Sequence, residues 1–329
     1  MFKYTVKRLL YSAIILFFVM FIIYALMYNM PMSYVETKAR ELASRPGATK
    51  SYAEWLADLN AQYGMDKGVV GGYFVWLGNA VRGNWGDSWA WTIPVTQVFK
   101  NTIWYSFALS VVAYIFEILI AIPLGISAAK KQYSFTDYFT TVVSMICISM
   151  PTFFLATLLK YIFSVKLGWF DLSGMQGRNY MNLTDFGKFL DVAKHFILPS
   201  ITLIIINIGG LMRYTRTNML EVLNADYIRT ARAKGVPEKK VINYHAFRNT
   251  LIPLITTLGG MLPGLFSGAL ITESLFAIRG IGYASYTSMT QADIPFIMFY
   301  LAFISIMTLL GNLISDLLYG AVDPRVRLS

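Results

Sequence analysis

The sequence centres on Glu221–Pro253, EVLNADYIRTARAKGVPEKKVINYHAFRNTLIP, the longest polar and basic interruption in an apolar second half. Residues 220–234 are good helix formers without glycine or proline, which predicts a first short helix. Gly235 is placed to end that helix in a left-handed cap, and Pro237 stands where a second helix would begin. The pattern therefore predicts two short helices joined by an elbow.

Basic and small side chains alternate along the first of these helices. Arg229 and Arg232 lie three residues apart and share one helix face, whereas Ala231 leaves room for another surface to approach closely. A basic helix that lies on anionic lipid is the competing interpretation. An ordered loop between two apolar runs favours contact with a protein.

The composition is that of a polytopic membrane protein. The chain has 329 residues, of which 56% are hydrophobic and 14% charged, with a mean hydropathy of +0.52. The net charge of +10 does not indicate nucleic acid as a partner, because the basic residues collect beside apolar runs. Cys147 is the only cysteine, which excludes an internal disulfide and a metal site built on cysteine.

Six stretches approach the roughly 20 apolar residues that one membrane crossing requires. An all-α protein is therefore expected, with transmembrane helices at 9–30, 102–128, 137–165, 196–215, 250–272 and 296–319. The apolar run after Lys7 and Arg8 is long for a signal peptide and lacks a small-x-small cleavage site. It is interpreted as an uncleaved first span.

Lysine and arginine concentrate in the segments that would lie on the same side of the membrane as the N-terminus. The segments on the other side carry nearly equal numbers of positive and negative charges. This positive-inside pattern places both termini and the 217–249 loop in the cytoplasm. The expected organisation is a first span at 1–30, an extracytoplasmic segment at 31–97, a core at 98–320 and a tail at 321–329. The amphipathic stretch around Trp55 predicts a short surface helix in the external segment.

Several residues inside the apolar runs allow two interpretations. Glu117 should face protein or a water-filled cavity, either as a pathway residue for the amino group of a substrate or as a packing hydrogen bond. Gly259, Gly260 and Pro263 interrupt the fifth span, which indicates either a cavity wall or tight helix packing. Lys160 is expected to snorkel outward near a span end.

The two histidines, His195 and His245, fall on opposite sides of the membrane in this topology and cannot share a metal. Each is interpreted as an ordinary interfacial or loop histidine, and no metal site is predicted.

Arg-Thr-Ala-Arg-Ala-Lys-Gly at 229–235, with His-Ala-Phe-Arg-Asn-Thr-Leu-Ile-Pro at 245–253, resembles the cytoplasmic "EAA" loop of ABC-importer permease subunits. The likeness is closest to the dipeptide and oligopeptide branch. Arg229 stands at the position of the name-giving glutamate, and Thr230 at the first alanine. In that family the loop is a coupling helix that docks in a cleft of the ATPase. The resemblance assigns this role to Asp226, Arg229, Thr230, Ala231, Arg232, Lys234 and Gly235.

Other motifs extend the resemblance, although Pro31-Met32-Ser33 keeps only the first proline of the family's "PGDP". Arg82–Ser88, RGNWGDS, is similar to "RGDxGxS". Glu273–Gly282 is similar to "ExxFxxxGxG", and Asp293-Ile294-Pro295 to "DxP". Residues 312–319 and 323–327 resemble "NLxxDLLY" and the C-terminal "DPR". The resemblance implies the type I ABC-importer permease fold.

The resemblance also implies partners in a bacterial or archaeal cytoplasmic membrane. These are a second homologous permease in a heterodimer, two ABC ATPases and an extracytoplasmic substrate-binding protein. The chain contains no Gly-x-x-x-x-Gly-Lys-Ser/Thr, so ATP and magnesium would be used by the ATPases and no cofactor by this chain. It is not expected to be an enzyme. Peptides are the expected substrate, with nickel, glutathione or oligosaccharide as alternatives.

Two other function classes are weighed beside the importer. A secondary transporter driven by an ion gradient would use Glu117 as its ion site, and its uptake would survive ATP depletion but collapse with an uncoupler. A membrane scaffold or sensor would bind a soluble partner through the loop without any substrate flux.

Overall fold

The computed structural model describes residues 2–29 and 34–322, and every regular element in these ranges is helical. The Pro31-Met32-Ser33 and 323–327 motifs lie outside the described residues. The α-helices are α1 (Phe2–Tyr28), α2 (Tyr34–Ala43), α3 (Tyr52–Tyr63), α4 (Gly68–Val81), α5 (Val95–Lys130), α6 (Phe135–Ser149), α7 (Thr152–Leu159), α8 (Asp185–Leu223), α9 (Asp226–Ala233), α10 (Glu238–Lys240), α11 (Phe247–Ser267), α12 (Leu270–Phe276), α13 (Ile281–Thr290) and α14 (Ile294–Val322). The all-α prediction is confirmed.

Within the described residues, five helical stretches are long and apolar enough to cross a membrane. A sixth span exists if the bent pair α6 and α7 counts as one. The five are Tyr4–Tyr28, Val95–Lys130, Asp185–Leu223, Pro253–Phe276 and Ile294–Gly320. The chain is therefore a multi-pass membrane protein, as the hydropathy predicts.

The third predicted span, 137–165, is wrong as a single helix. Helices α6 and α7 bend by 100° at their junction. Met150 and Pro151 are both extended there, with ψ values of 122° and 134°. A proline disfavours helical geometry in the residue before it and has no N–H for the helix, so the span breaks at this pair.

The predicted interruption of the fifth span at 258–264 is also wrong. Helix α11 continues through Pro263 to Ser267, and the chain leaves the helix at Gly268, where φ is +76°. A Cβ at Gly268 would collide with the backbone of Gly282. The break therefore lies where two backbone segments touch, because only glycine permits both the close approach and the positive φ.

Among the described residues, one compact unit comprises 2–29, 34–103 and 284–309. Its core is aromatic, with Tyr24, Tyr73 and Trp76 packed together beside Met20 and Met298. The predicted surface helix is confirmed as α3, which Ser51 and Glu54 cap reciprocally. The sequence did not predict helices α2 and α4. With α3 they make most of the described part of the 31–97 segment helical.

The other unit comprises 104–283 and 310–322 among the described residues. Helix α8, with 39 residues, contacts α6, α7, α11 and α12. Near the end of α8, Arg216 binds Asp137 of α6 through two hydrogen bonds, and its Nη2 lies 2.8 Å from Asp137 Oδ2. The loop thus follows a long helix that an ion pair fixes to α6.

Candidate functional site

The first helix of the loop is shorter than predicted. Helix α8 continues to Leu223, the chain turns at Asn224 and Ala225, and α9 begins at Asp226. Asn224 donates from Nδ2 to the carbonyl of Leu220 at 3.0 Å, and such local side-chain bonds compete with helix continuation. A single helix over 220–234 is therefore wrong.

The elbow at Gly235 has the predicted left-handed conformation, with φ of +75°. The N–H of Gly235 donates to the carbonyl of Arg232 at 2.9 Å, and that of Val236 to the carbonyl of Ala231 at 3.2 Å. This pair of bonds is a Schellman motif, which satisfies carbonyls at the end of a helix. Pro237 then directly precedes α10, as predicted.

An ion pair closes the elbow. Arg232 donates from Nε and Nη2 to the two carboxylate oxygens of Glu238, at 3.1 and 2.9 Å. These bonds lower the pKa of Glu238 below its usual value and raise that of Arg232. Arg232 therefore binds within the loop, although the sequence predicted that it shares a presented face with Arg229.

Ile228 anchors α9 to the rest of the unit. Its side chain is fully buried with Met219 of α8 and with Val241, Ile242 and Ala246. The last three belong to a π-helical turn, Val241–Ala246, that leads directly into α11. Ile228 therefore connects α9 to both long helices that flank the loop.

The opposite side of α9 is exposed and polar. Asp226, Arg229, Thr230 and Lys234 are all exposed, whereas Ala231 is half-buried on the inner side. Arg229 keeps only a 3.5 Å contact with Asp226, and its side chain is 71% exposed. Six of the seven predicted loop residues are therefore exposed and Ala231 is half-buried, but Arg232 and Gly235 are engaged in shaping the elbow.

Glu117 lies in the middle of α5 and is buried, with 4% of its surface exposed. Its Oε2 has no hydrogen-bond partner among the described residues. One turn earlier, the hydroxyl of Tyr114 lies against Gly264 of α11. An unpartnered buried carboxyl is costly, so this position is a candidate for a function as well as for packing.

The three predicted residues of α11 differ in their surroundings. Gly259 is buried, and a Cβ there would crowd Ser315 of α14. A Cβ on Gly311 of α14 would lie 2.8 Å from the carbonyl oxygen of Gly259 and 3.2 Å from the ring of Pro263. Gly260 is exposed and has open space in front of it. Gly259 and Pro263 therefore pack on α14, and only Gly260 faces outward.

The ExxFxxxGxG motif forms a buried hydrogen-bond cluster around Glu273. Its carboxylate accepts bonds from Ser106 Oγ at 2.6 Å, from the N–H of Ala269 at 2.8 Å and from that of Tyr283 at 2.9 Å. A Cβ at Gly280 would collide with Ser106 and Glu273. The motif's glutamate and glycines therefore pack a loop against α5 rather than present a binding group.

Asp293 forms a second buried cluster, which joins two motifs that are distant in sequence. Its carboxylate accepts bonds from Ser88 Oγ, from the N–H of Trp89 at 2.9 Å and from Ser288 Oγ at 3.3 Å. The RGNWGDS and DxP motifs therefore meet at one carboxylate. The motifs drew attention to Glu273 and Asp293, but no local pattern in the sequence predicted the partners in either cluster.

Two further expectations are corrected. Lys160 does not snorkel outward, because its Nζ binds the carbonyl of Leu275 at 2.5 Å and lies 5.4 Å from the ring centroid of Phe276. His195 is not a simple interfacial residue. Its side chain is 3% exposed, with Nε2 3.2 Å from Asp171 Oδ2 and Nδ1 2.7 Å from the carbonyl oxygen of Asp191.

Among the described residues, no group of three or more histidine, cysteine, aspartate or glutamate side chains is placed to hold a metal ion.

Comparison with known proteins gives consistent matches. Residues 121–328 match the family described as "Binding-protein-dependent transport system inner membrane component". The oligopeptide transport system permease protein AppB of Bacillus subtilis is 40% identical over 80% of this chain and 83% of its own length. The dipeptide transport system permease protein DppB of Escherichia coli K12 is 34% identical over 82% of this chain and 85% of its own length. The dipeptide transport system permease protein DppB of Alkalihalophilus pseudofirmus is 32% identical over 99% of this chain and 100% of its own length.

Proposed function

The chain belongs to the family of binding-protein-dependent transport system inner membrane components, and on this basis we propose that it carries peptides through the membrane and couples to ATPases through loop 217–249. It is a membrane permease subunit of an ABC importer, and ATP hydrolysis belongs to other subunits. The ion-gradient and scaffold hypotheses do not fit this family. The named relatives that transport peptides support the substrate class, with nickel, glutathione and oligosaccharide as alternatives.

The geometry of α9 and its elbow carries the coupling proposal. A docking helix has to present a surface and transmit force at the same time. Helix α9 exposes Asp226, Arg229 and Thr230 on one side, with Lys234 exposed directly after it, and buries Ile228 on the other side. The ATPases must contact this surface differently in their open and closed states, because otherwise their cycle would not shift the spans.

The proposed assembly contains this chain, a second homologous permease, two ABC ATPases that use ATP and magnesium, and an extracytoplasmic binding protein. It resides in a bacterial or archaeal cytoplasmic membrane with both termini of this chain inside. The family description supports the binding protein, and the excess of lysine and arginine around the loop supports the orientation.

The proposed translocation path passes Glu117 and the 259–263 stretch of α11. Glu117 would meet the amino group of a peptide, and its unpartnered Oε2 supports this role. Gly260 would line the path, while Gly259 and Pro263 would hold α11 against α14 as the wall.

The coupling proposal is tested by site-directed crosslinking in native membranes, after replacement of the single buried cysteine by Cys147→Ala. Thr230→Cys carries a thiol on the exposed side of α9, and a bifunctional maleimide should link it to an ATPase subunit. Asn182→Cys is the matched control, because it is also exposed but lies on the opposite side of the membrane in the proposed topology. Absence of an ATPase adduct at 230, or equal adducts at both positions, would contradict the proposal.

The partners and substrate are tested by purifying the tagged chain in mild detergent and identifying what accompanies it by mass spectrometry. A second permease, two ATPases and a binding protein are expected. The ligand bound to that binding protein identifies the substrate, and a nickel ion or an oligosaccharide there would replace the peptide assignment.

A further inference from the structure

Helix α4 is an uncharged apolar helix within the segment that the sequence assigns to the outside. Its sequence, GVVGGYFVWLGNAV, is bounded by Lys67 and Arg82. Fourteen residues extend about 21 Å at 1.5 Å per residue, which is too short for the roughly 30 Å hydrocarbon core. Val70, Phe74 and Val81 are nonetheless exposed on its surface. An apolar helix of this kind is costly to keep in water.

The contacts of α4 place it at the depth of the membrane. Tyr73 donates its hydroxyl to the carbonyl of Phe17 at 2.7 Å. The rings of Phe17 and Phe21 lie 5.2 and 5.3 Å from that of Tyr73, centroid to centroid. Phe17 is central in the Tyr4–Tyr28 span. Since α1 crosses the bilayer, the part of α4 around Tyr73 shares the surroundings of the middle of that span.

An apolar groove of about 310 Å³ lies between α1, α4 and α14. Its walls include Ala13 and Leu16 of α1, Leu77 and Val81 of α4, and Ala302 and Ile306 of α14. This volume is twice the roughly 150 Å³ of an engineered apolar cavity that binds benzene. Water would find few hydrogen-bond partners there, and an empty groove would forfeit dispersion contacts along its whole lining.

We propose that the acyl chain of a membrane phospholipid occupies this groove. Two of its walls are helices that span the bilayer, and the third lies against the middle of α1. The groove borders the outward face of α1, where Ile14 and Phe18 are more than half exposed. A lipid chain can therefore enter the groove from the surrounding bilayer. Its methylene groups provide the apolar contacts that the lining of the groove otherwise lacks. Residues 68–81 thus belong to the membrane layer.

The test uses the purified chain and the complete transporter, each reconstituted in vesicles of phosphatidylethanolamine and phosphatidylglycerol. A trace of phospholipid with a diazirine on its acyl chain is added, and labelled peptides are identified by mass spectrometry after irradiation. Label is expected on Leu77 in the groove and also on Phe18, which reports ordinary contact with the bilayer.

Matched variants separate the groove from the outer surface. Ala13→Trp fills the groove from its open side and should remove the label at Leu77 while label at Phe18 remains. Ile14→Trp adds the same bulk at the neighbouring exposed position outside the groove lining, and the groove label should persist.

Three results would overturn the proposal. The first is label at Phe18 without any in the groove of the wild-type protein. The second is groove label that Ala13→Trp leaves unchanged. The third is groove label in the isolated chain that disappears in the complete transporter, because a protein subunit would then be the occupant.

Discussion

At the residue scale, the elbow of the loop depends on one backbone conformation and one ion pair. Gly235 has a φ of +75°, which a β-branched residue adopts only with strain. Arg232 and Glu238 join the two sides of the elbow with side chains that are 42% and 52% exposed. A pair this exposed contributes little stability, so it orients the loop more than it holds it together.

Replacing Gly235 tests the backbone requirement. We expect Gly235→Val to abolish peptide uptake by the complete transporter, because the left-handed conformation costs an L-residue at least about 1–2 kcal/mol and the elbow would reorient. Gly235→Asn should retain most uptake, since asparagine tolerates this conformation. Gly210→Ala, at an exposed helical glycine with open space, is the control for adding a side chain. Full uptake by Gly235→Val would refute the assignment.

The ion pair predicts a pH dependence of the elbow. Because Arg232 lowers the folded-state pKa of Glu238, the pair stabilises the folded loop above the unfolded-state pKa. That contribution is lost as the pH falls through the lowered folded-state pKa. A ¹³C NMR titration of the Glu238 carboxyl in nanodiscs, assigned with Glu238→Gln, should give a midpoint below that of an ordinary glutamate. Arg232→Gln should raise this midpoint, and an unchanged midpoint would exclude the pair in solution.

At the element scale, short helices are fixed by their buried contacts more than by their own propensity. Helix α9 has eight residues, too few to be stable alone, and depends on Ile228 in the cluster with Met219, Val241 and Ala246. Helix α6 is similarly attached to α8, through Asp137 and Arg216. These attachments determine where the loop lies relative to the spans of its own unit.

Removing the attachment between α6 and α8 should be costly. Asp137 and Arg216 have side-chain exposures of 3% and 25%, so Asp137→Ala would leave a poorly solvated arginine and should destabilise the unit by about 3 kcal/mol. The double variant with Arg216→Ala should cost less than the sum of the two single changes. Chemical unfolding in detergent, followed by circular dichroism, measures these differences.

The control for this cycle is the exposed pair of Lys50 and Asp58, whose side chains are 46% and 52% exposed. Asp58→Ala should change the stability by less than about 1 kcal/mol. Additive effects of Asp137→Ala and Arg216→Ala would show that the two residues do not interact.

At the scale of the whole molecule, the distribution of charge predicts how the chain crosses the membrane. The positive-inside rule places Lys234 in the cytoplasm and the 166–195 segment outside. In cells carrying Cys147→Ala, a membrane-impermeant maleimide should label Asn182→Cys directly and Lys234→Cys only after permeabilisation. Both positions are exposed, so access and not burial decides the result. The reverse pattern would invert the topology and place the loop away from ATP.

Local chemistry in the sequence determined the helical class, the multi-pass character and the elbow. Hydropathy and length specify membrane helices because a bilayer requires each backbone group to be bonded within its own segment. The conformation at Gly235 and the start of α10 after Pro237 follow from the covalent geometry of those two residues. The resemblance of residues 229–235 to the coupling loop added the family, which the match over 121–328 confirms.

Only the tertiary structure decided which polar residues are partners and where the helices break. Ser106 and Glu273 are 167 positions apart, and Ser88 and Asp293 are 205 apart, so no local pattern could pair them. The break at Gly268 and the contact of α4 with α1 likewise depend on neighbours distant in sequence. Local propensity indicates that a helix forms, but buried carboxylates and close backbone contacts determine where it ends. The free-energy cost of an unpaired buried polar group or a steric clash exceeds the free energy gained from one more helical turn.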